Sequence, residues 1–142
     1  MTEAIIIRNY SSKDFAFIIN SWLKSYQASS SFAEDILQSV FFKFHKVIAE
    51  NILNRPTTTV LLAVDKEDQD IIYGYAIFEN INNLEIFHYI YVKRGFNHFG
   101  IAKKLIESAP FLIKKGVFCS HLTRKGRKLL KKIEMVYNPY LI

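Results

Sequence analysis

Hydrophobic and polar positions alternate along this chain in two clear rhythms, and the switch between them divides it. Residues 4 to 9 form a short apolar run closed by Asn9, the pattern of an edge strand. Ser11 or Ser12 can then cap a helix, with Asp14 in its first turn, where a carboxylate is favoured. Phe15, Ile18, Ile19, Trp22, Leu23 and Tyr26 recur at helical spacing and predict one buried stripe. Gln27 to Ser31 reads as a polar break. A second helix follows, with Ile36, Leu37, Val40, Phe41, Phe44, Val47, Ile48 and Ile52 expected on its inner face and Pro56 marking its end.

From Thr57 the rhythm changes. Thr57 to Val64, Ile71 to Glu79 and Leu84 to Lys93 are rich in β-branched and aromatic residues. The polar segments Asp65–Asp70 and Asn80–Asn83 separate them, which predicts an antiparallel meander. A glycine-bearing loop, Arg94 to Gly100, leads into a helix with Ile101, Ala102, Leu105, Ile106 and Ala109 on one stripe. Pro110 and Gly116 bracket the passage to a strand at Val117 to Leu122. A helix from about Thr123 to Glu134 and a last strand, Val136 to Leu141, complete the order β-α-α-β-β-β-α-β-α-β. Such a mixed order predicts one twisted sheet with helices on both faces. The 142 residues suit a single domain, 1–142, with no repeat or linker.

Composition narrows the function. Half of the residues are hydrophobic, which excludes a disordered chain, yet no apolar run approaches the ~20 residues of a membrane span. The opening Met1-Thr2-Glu3-Ala4 lacks a basic n-region, and Ile5-Ile6-Ile7 is too short for a signal core. The single cysteine, Cys119, excludes an intrachain disulfide. With His121 and His88 it also lacks zinc-ligand spacing, so no metal is expected. These features predict a cytoplasmic protein.

A net charge of +6 points to an anionic partner. One candidate place for it is Asn97-His98-Phe99-Gly100-Ile101-Ala102, where a strand gives way to a helix. A helix start leaves its N–H groups unpaired and carries partial positive charge, so it suits a phosphate. Gly100 and Ala102 allow close approach, and Lys103 and Lys104 add long-range attraction. The other is the run Arg124, Lys125, Arg127, Lys128, Lys131 and Lys132. It lies opposite Leu122, Gly126, Leu129, Leu130 and Ile133 on the predicted helix. Such a face is either simply solvated or an attractor for nucleic acid or an acidic protein.

In its order of elements and this loop the chain resembles the GNAT superfamily, the Gcn5-related N-acetyltransferases. Their cofactor signature, Gln/Arg-x-x-Gly-x-Gly/Ala, falls on Asn97 to Ala102, and Tyr91-Val92 matches the strand ending before it. The resemblance implies a mixed, mostly antiparallel sheet and an acetyl-CoA-dependent N-acyltransferase acting on an unidentified amine. The amides from Asn97 to Lys103 (Asn97, His98, Phe99, Gly100, Ile101, Ala102, Lys103) would hold the diphosphate. The backbone of Tyr91, Val92 and Lys93 would run beside the pantetheine. Asn97 stands where the family has Gln or Arg. The blocks Ser21-Trp22-Leu23-Lys24-Ser25-Tyr26 and Tyr137-Asn138-Pro139-Tyr140 also resemble a GNAT-like group of tailed phages, which implies a host-cytoplasmic setting.

By the same resemblance, a tyrosine acid should sit seven residues after an Asn that opens the helix following the fifth strand. Thr123 and Leu130 occupy those places, so the usual acid is absent. This leaves an alternative open: a catalytically inactive GNAT-fold binding module, such as a phage accessory or virion-associated protein. For an enzyme, His88 and His121 are the candidate catalytic residues, acting as base and relay. Strand alternation places His88 with Ile90 and Val92. Ser120 and Thr123 could orient water. Glu79 and Glu85 read as solvated, His45 as a surface histidine, and Tyr137 and Tyr140 as residues packing on the core, with Tyr137 the nearest substitute acid. The last strand could pair within the sheet or make a homodimer.

Overall fold

A computed structural model describes residues 4–142; Met1, Thr2 and Glu3 of the opening lie outside the described residues. Six strands form one sheet in chain order, β1 (Ile5–Asn9), β2 (Thr58–Asp65), β3 (Ile72–Ile81), β4 (Leu84–Val92), β5 (Phe118–Cys119) and β6 (Val136–Tyr137). The first three pairings are antiparallel and the last two parallel, so the sheet is mixed and mostly antiparallel. Helices α1 (Phe15–Ser29) and α2 (Gln38–Asn54) cover one face, while α3 (Ile101–Glu107) and α4 (Gly126–Ile133) lie on the other. Apart from a 3-10 turn at Ser12–Asp14, this is the expected order.

The entry to α1 is fixed electrostatically. Arg8 grips Asp14 through two bonds of 2.8 Å, and the Ser11 amide donates to the same carboxylate at 2.9 Å. The predicted stripe is buried as expected: Ile18, Ile19, Trp22, Leu23 and Tyr26. The helix does not stop at Gln27, however, but continues to Ser29. Ser25 and Ser29 return their hydroxyls to the carbonyls four residues back, at 2.6 Å each, so these polar residues do not break it. Ser21 and Ser25 also meet the Tyr75 and Tyr89 hydroxyls at 2.7 Å, tying α1 to β3 and β4.

The inner face of α2 departs from expectation. Phe41, His45, Ala49, Ile52 and Leu53 are buried, whereas Leu37, Val40, Phe44 and Val47 are exposed. Two apolar stripes run along this helix, and the inner one was hidden because a histidine occupies its centre. Ile36 and Leu37 precede the helix.

The meander is longer than the polar segments suggested. β3 runs to Ile81, leaving Asn82 and Asn83, both at positive φ, as a two-residue hairpin turn. Beyond β4 the elements are shorter. β5 holds two residues instead of Val117–Leu122, β6 two instead of Val136–Leu141, and α4 begins at Gly126 instead of near Thr123. The Thr123 hydroxyl accepts the Gly126 amide at 2.9 Å and sets that start. Tyr137 is 36% and Tyr140 89% exposed, so neither is a core residue as expected. β6 pairs with β5 inside the sheet. No described helix is long and apolar enough to cross a membrane.

β3 and β4 approach closely where the glycine-bearing loop departs. A methyl group added to Gly74 would lie 2.5 Å from the Tyr91 carbonyl oxygen. Gly74→Ala is therefore expected to destabilise the protein by about 1–3 kcal/mol. Urea denaturation reads this directly, and an unchanged midpoint would show that the strands are not so close.

Candidate active site

The site begins with one extra residue. Ile77 pairs with Tyr89 but Phe78 pairs with Phe87, so His88 is an unpaired insertion in β4. A bulge of this kind bends its strand and increases its twist. The pairing of β4 with β5 stops at the same point, at Phe87 and Cys119. From His88 to Val92, β4 therefore has one edge without a strand partner among the described residues. A cavity of ≈ 40 Å3, room for a few water-sized atoms, lies between the parted strands. His88, Ile90, His121, Thr123 and Leu129 are among its lining residues.

The bulge also corrects the orientation expected for His88. Phe87, Ile90 and Val92 pack with the α3 core and Tyr89 and Tyr91 with the α1–α2 core. His88 does not join Ile90 and Val92, because the inserted residue cancels the alternation. It bonds Glu79 and Ser120 instead, on the side of the first two helices.

Those bonds belong to a longer chain. Arg55 Nη1 donates to Glu79 Oε1 at 3.0 Å and Thr57 Oγ1 to Oε2 at 2.5 Å. Glu79 Oε1 is 2.8 Å from His88 Nε2, and His88 Nδ1 is 2.6 Å from Ser120 Oγ. Ser120 Oγ is 2.8 Å from His121 Nδ1, and His121 Nε2 is 2.8 Å from His45 Nε2. Glu79 and His45 are thus corrections: the first is fully buried and ionically paired, and the second is a buried partner of His121. His121 lies two residues beyond β5, not within a strand. Glu85 takes no part in the chain and is partly exposed.

The electrostatics follow from burial and pairing. His88, Thr57 and Arg55 hold the Glu79 carboxyl down at about 2 against its desolvation, the His88 bond contributing most. Burial pushes His45 down to about 4. It also lowers His88, against the opposing pull of Glu79. His121 lies well below the usual histidine range through burial, then through His45 and His88. Trp22 and Tyr26 enclose its ring, with centroids 5.1 and 4.9 Å away. Burial raises both Tyr26 and Tyr137, and the two interact.

Glu79, His88 and Ser120 have the order of an acid–base–nucleophile triad. Ser120 Oγ is nonetheless held from both sides and is absent from the cavity wall. This geometry suits a relay and not a nucleophile. Sequence reasoning found the two candidate histidines, but it missed the carboxylate and third imidazole that they join. A histidine at i+4 from Phe41 was the available signal for His45.

The loop after β4 is the second part of the site. Phe96 packs on Tyr73 with ring centroids 4.9 Å apart and Phe99 on Phe96 at 5.6 Å, both pairs tilted, anchoring it to the α3 core. Phe96 donates to the Lys93 carbonyl and Phe99 to the Phe96 carbonyl, while the Lys93 amide donates to Tyr73. The amides of Asn97, His98, Gly100, Ile101, Ala102 and Lys103 have no acceptor among the described residues. Gly100 holds φ at 72°, a left-handed value that glycine adopts freely. Lys103 lies near Glu107, and Lys104 turns away to the Ile5 carbonyl.

Solved structures share this architecture. A putative acetyl transferase from Pyrococcus furiosus superposes with a TM-score of 0.56 at 13% identity, over 94% of this chain and 78% of that one. A possible acetyltransferase from Clostridium difficile 630 gives 0.55 at 12%, over 98% and 95%. The ribosomal-protein-alanine N-acetyltransferase of Brucella melitensis biovar Abortus 2308 gives 0.53 at 22%, over 92% and 90%. No protein-family model and no curated protein matches the sequence. The chain has the fold of the GNAT acetyltransferases.

The buried histidines set a pH dependence. Each is neutral when folded and titrates below its value in the unfolded chain. As pH falls below about 6.5, unfolded imidazoles take up protons that the folded ones refuse. Stability is complete above that range and declines towards the folded values. For His45 alone, the fall to about 4 corresponds to about 3 kcal/mol. Glu79 adds a loss only below about pH 4.5. Tm should therefore drop steadily from pH 7 to pH 5, and a flat Tm would mean that the imidazoles are not held neutral.

Proposed function

We propose that the protein is an acetyl-CoA-dependent N-acyltransferase. The reading rests above all on an unpaired β4 edge that ends at a loop of free amides. An extended pantetheine arm has amide groups that can pair with such an edge, much as a strand would. A diphosphate can accept the free amides of Asn97, His98, Gly100, Ile101, Ala102 and Lys103, with partial positive charge behind them. The cavity beside Ile90 and Thr123 has room for a small acyl group at the end of that arm.

Acyl transfer then needs an amine freed of its proton and a polarised thioester carbonyl. His88 and His121 line the cavity, and the hydrogen-bonded chain they belong to offers a path for that proton. The expected acceptor is a primary amine, and the reaction would take place in the cytoplasm. Tyr26 and Tyr137 keep their protons at neutral pH, and Tyr137 is the candidate for the role left open by Leu130.

A second reading, a catalytically silent module of the same fold, draws support from Leu130 and from the fully bonded ring nitrogens of His88 and His121. Lys125, Arg127, Lys128, Lys131 and Lys132 have no ion-pair partner among the described residues and face solvent. In either reading this helix could hold nucleic acid or an acidic protein.

Isothermal titration with acetyl-CoA separates these readings. Micromolar binding is expected, weakened at least tenfold by Ala102→Glu, which places a negative charge beside the diphosphate. Gly100→Trp should act in the same direction. No heat at millimolar cofactor would remove the enzyme reading. Binding without thiol release, in the presence of lysine- and alanine-bearing peptides, would favour the silent module.

A further inference from the structure

The buried chain from Glu79 to His45 has a direction, and simple donor counting fixes it. Glu79 is a carboxylate and can only accept, so His88 must carry its proton on Nε2. Its Nδ1 is then a lone pair and accepts from the Ser120 hydroxyl. Ser120 has one proton, already used, so its oxygen accepts from His121 Nδ1–H. His121 Nε2 is then a lone pair and accepts from His45 Nε2–H. His45 is left with a lone pair on Nδ1. That atom has no partner among the described residues. Among the described residues the fully enclosed, unpartnered side-chain atoms are Trp22 Nε1, Ser30 Oγ and Thr58 Oγ1. His45 Nδ1 is not one of them and is not sealed off.

All four ring nitrogens of His88 and His121 are therefore occupied. Neither imidazole can take a proton directly without first losing a bond in a dry interior, where an unmet polar group is costly. The open end lies elsewhere. We infer that these residues form a directional proton wire which takes up the proton of the acceptor amine at His45 Nδ1 on α2 and carries it to the His88–Glu79 pair.

The transfers balance. The ammonium proton passes to His45 Nδ1, and the proton of His45 Nε2 passes to His121 Nε2. The proton of His121 Nδ1 moves to Ser120 Oγ, and the Ser120 hydroxyl proton moves to His88 Nδ1. The result is a neutral amine and a His88 imidazolium facing the Glu79 carboxylate. Arg55 and Thr57 keep that carboxylate ionised and in place, so the transferred charge ends in an ion pair. Reversing the same four transfers resets the chain without turning any ring. The groups bordering it are Arg55, the Tyr26 and Tyr89 hydroxyls and the Cys119 thiol, and burial keeps the last three protonated.

His45 is thus the proton acceptor, and His121, Ser120, His88 and Glu79 act through it as relay and positioning residues. This rests on the acyltransferase reading for its substrate, although the direction of the wire does not.

Two measurements test it. Long-range 1H–15N NMR of the wild-type protein at pH 7.5 reports the tautomers. His45 and His88 should carry the proton on Nε2 and His121 on Nδ1. Any other combination overturns the wire, whether or not acetyl-CoA binds. The second measurement is thiol release from acetyl-CoA with the peptide amines, alongside calorimetry of acetyl-CoA. Glu79→Gln keeps an acceptor for His88 but removes the counter-charge, and His45→Ala removes the open end. Both should lower kcat about 100-fold with acetyl-CoA affinity kept within threefold, and free imidazole should restore His45→Ala. Full turnover in either variant overturns the wire. Absence of acetyl-CoA binding in the wild type would fail the acyltransferase reading and leave the NMR result to decide the wire.

Discussion

The whole site depends on a single irregularity of hydrogen bonding, the unpaired residue at position 88. A regular ladder would have kept β4 beside β5 to its end and left no edge to offer. With one residue out of register, the strand turns and its partner is lost after Phe87. The side chain at that position also swings to the face of α1 and α2. One geometric event thus opens the gap and delivers an imidazole to it.

That imidazole is tolerable in a dry interior only because of its neighbours. Isolated buried polar groups cost several kcal/mol, whereas a fully satisfied network can be retained. Here the chain is bonded from Arg55, part exposed, through Glu79, His88, Ser120 and His121 to His45 Nε2, and only His45 Nδ1 at the α2 end is without a partner among the described residues. The network crosses three segments distant in sequence: α2, the β3–β4 hairpin and the end of β5. It constrains their relative positions more tightly than apolar packing alone, which has no directional preference.

Much of the fold was legible because it rests on periodicity. The α1 stripe, the three-strand meander and the β-α-β-α-β order after it could be read from spacing. The failures have particular causes. The α2 face was misread because a buried histidine breaks the apolar pattern and an exposed stripe with Phe44 imitates a core. The ends of β5 and β6 were overextended because Val, Phe and Leu favour strands whether or not a partner strand exists. The site was half legible. His88 and His121 stood out as chemistry-bearing residues near the glycine loop. Glu79 looked solvated at a strand end, since nothing local reveals an arginine and a threonine waiting across the sheet. A bulge has no signature of its own in a run such as Ile86-Phe87-His88-Tyr89-Ile90, and so the facing of His88 could not be read.

The brevity of β5 has a mechanical consequence. The last quarter of the chain, with β5, α4 and β6, joins the central strands through two residue pairs, against eight pairs between β3 and β4. It is a leaf on a narrow hinge. Segments held by few main-chain bonds open at lower free energy than the body they adjoin. Beyond those pairs it is held by polar bonds, Ser120 to His88, His121 to His45 and the Arg124 amide to the Ser29 carbonyl, so the width of the gap is coupled to the state of the buried chain.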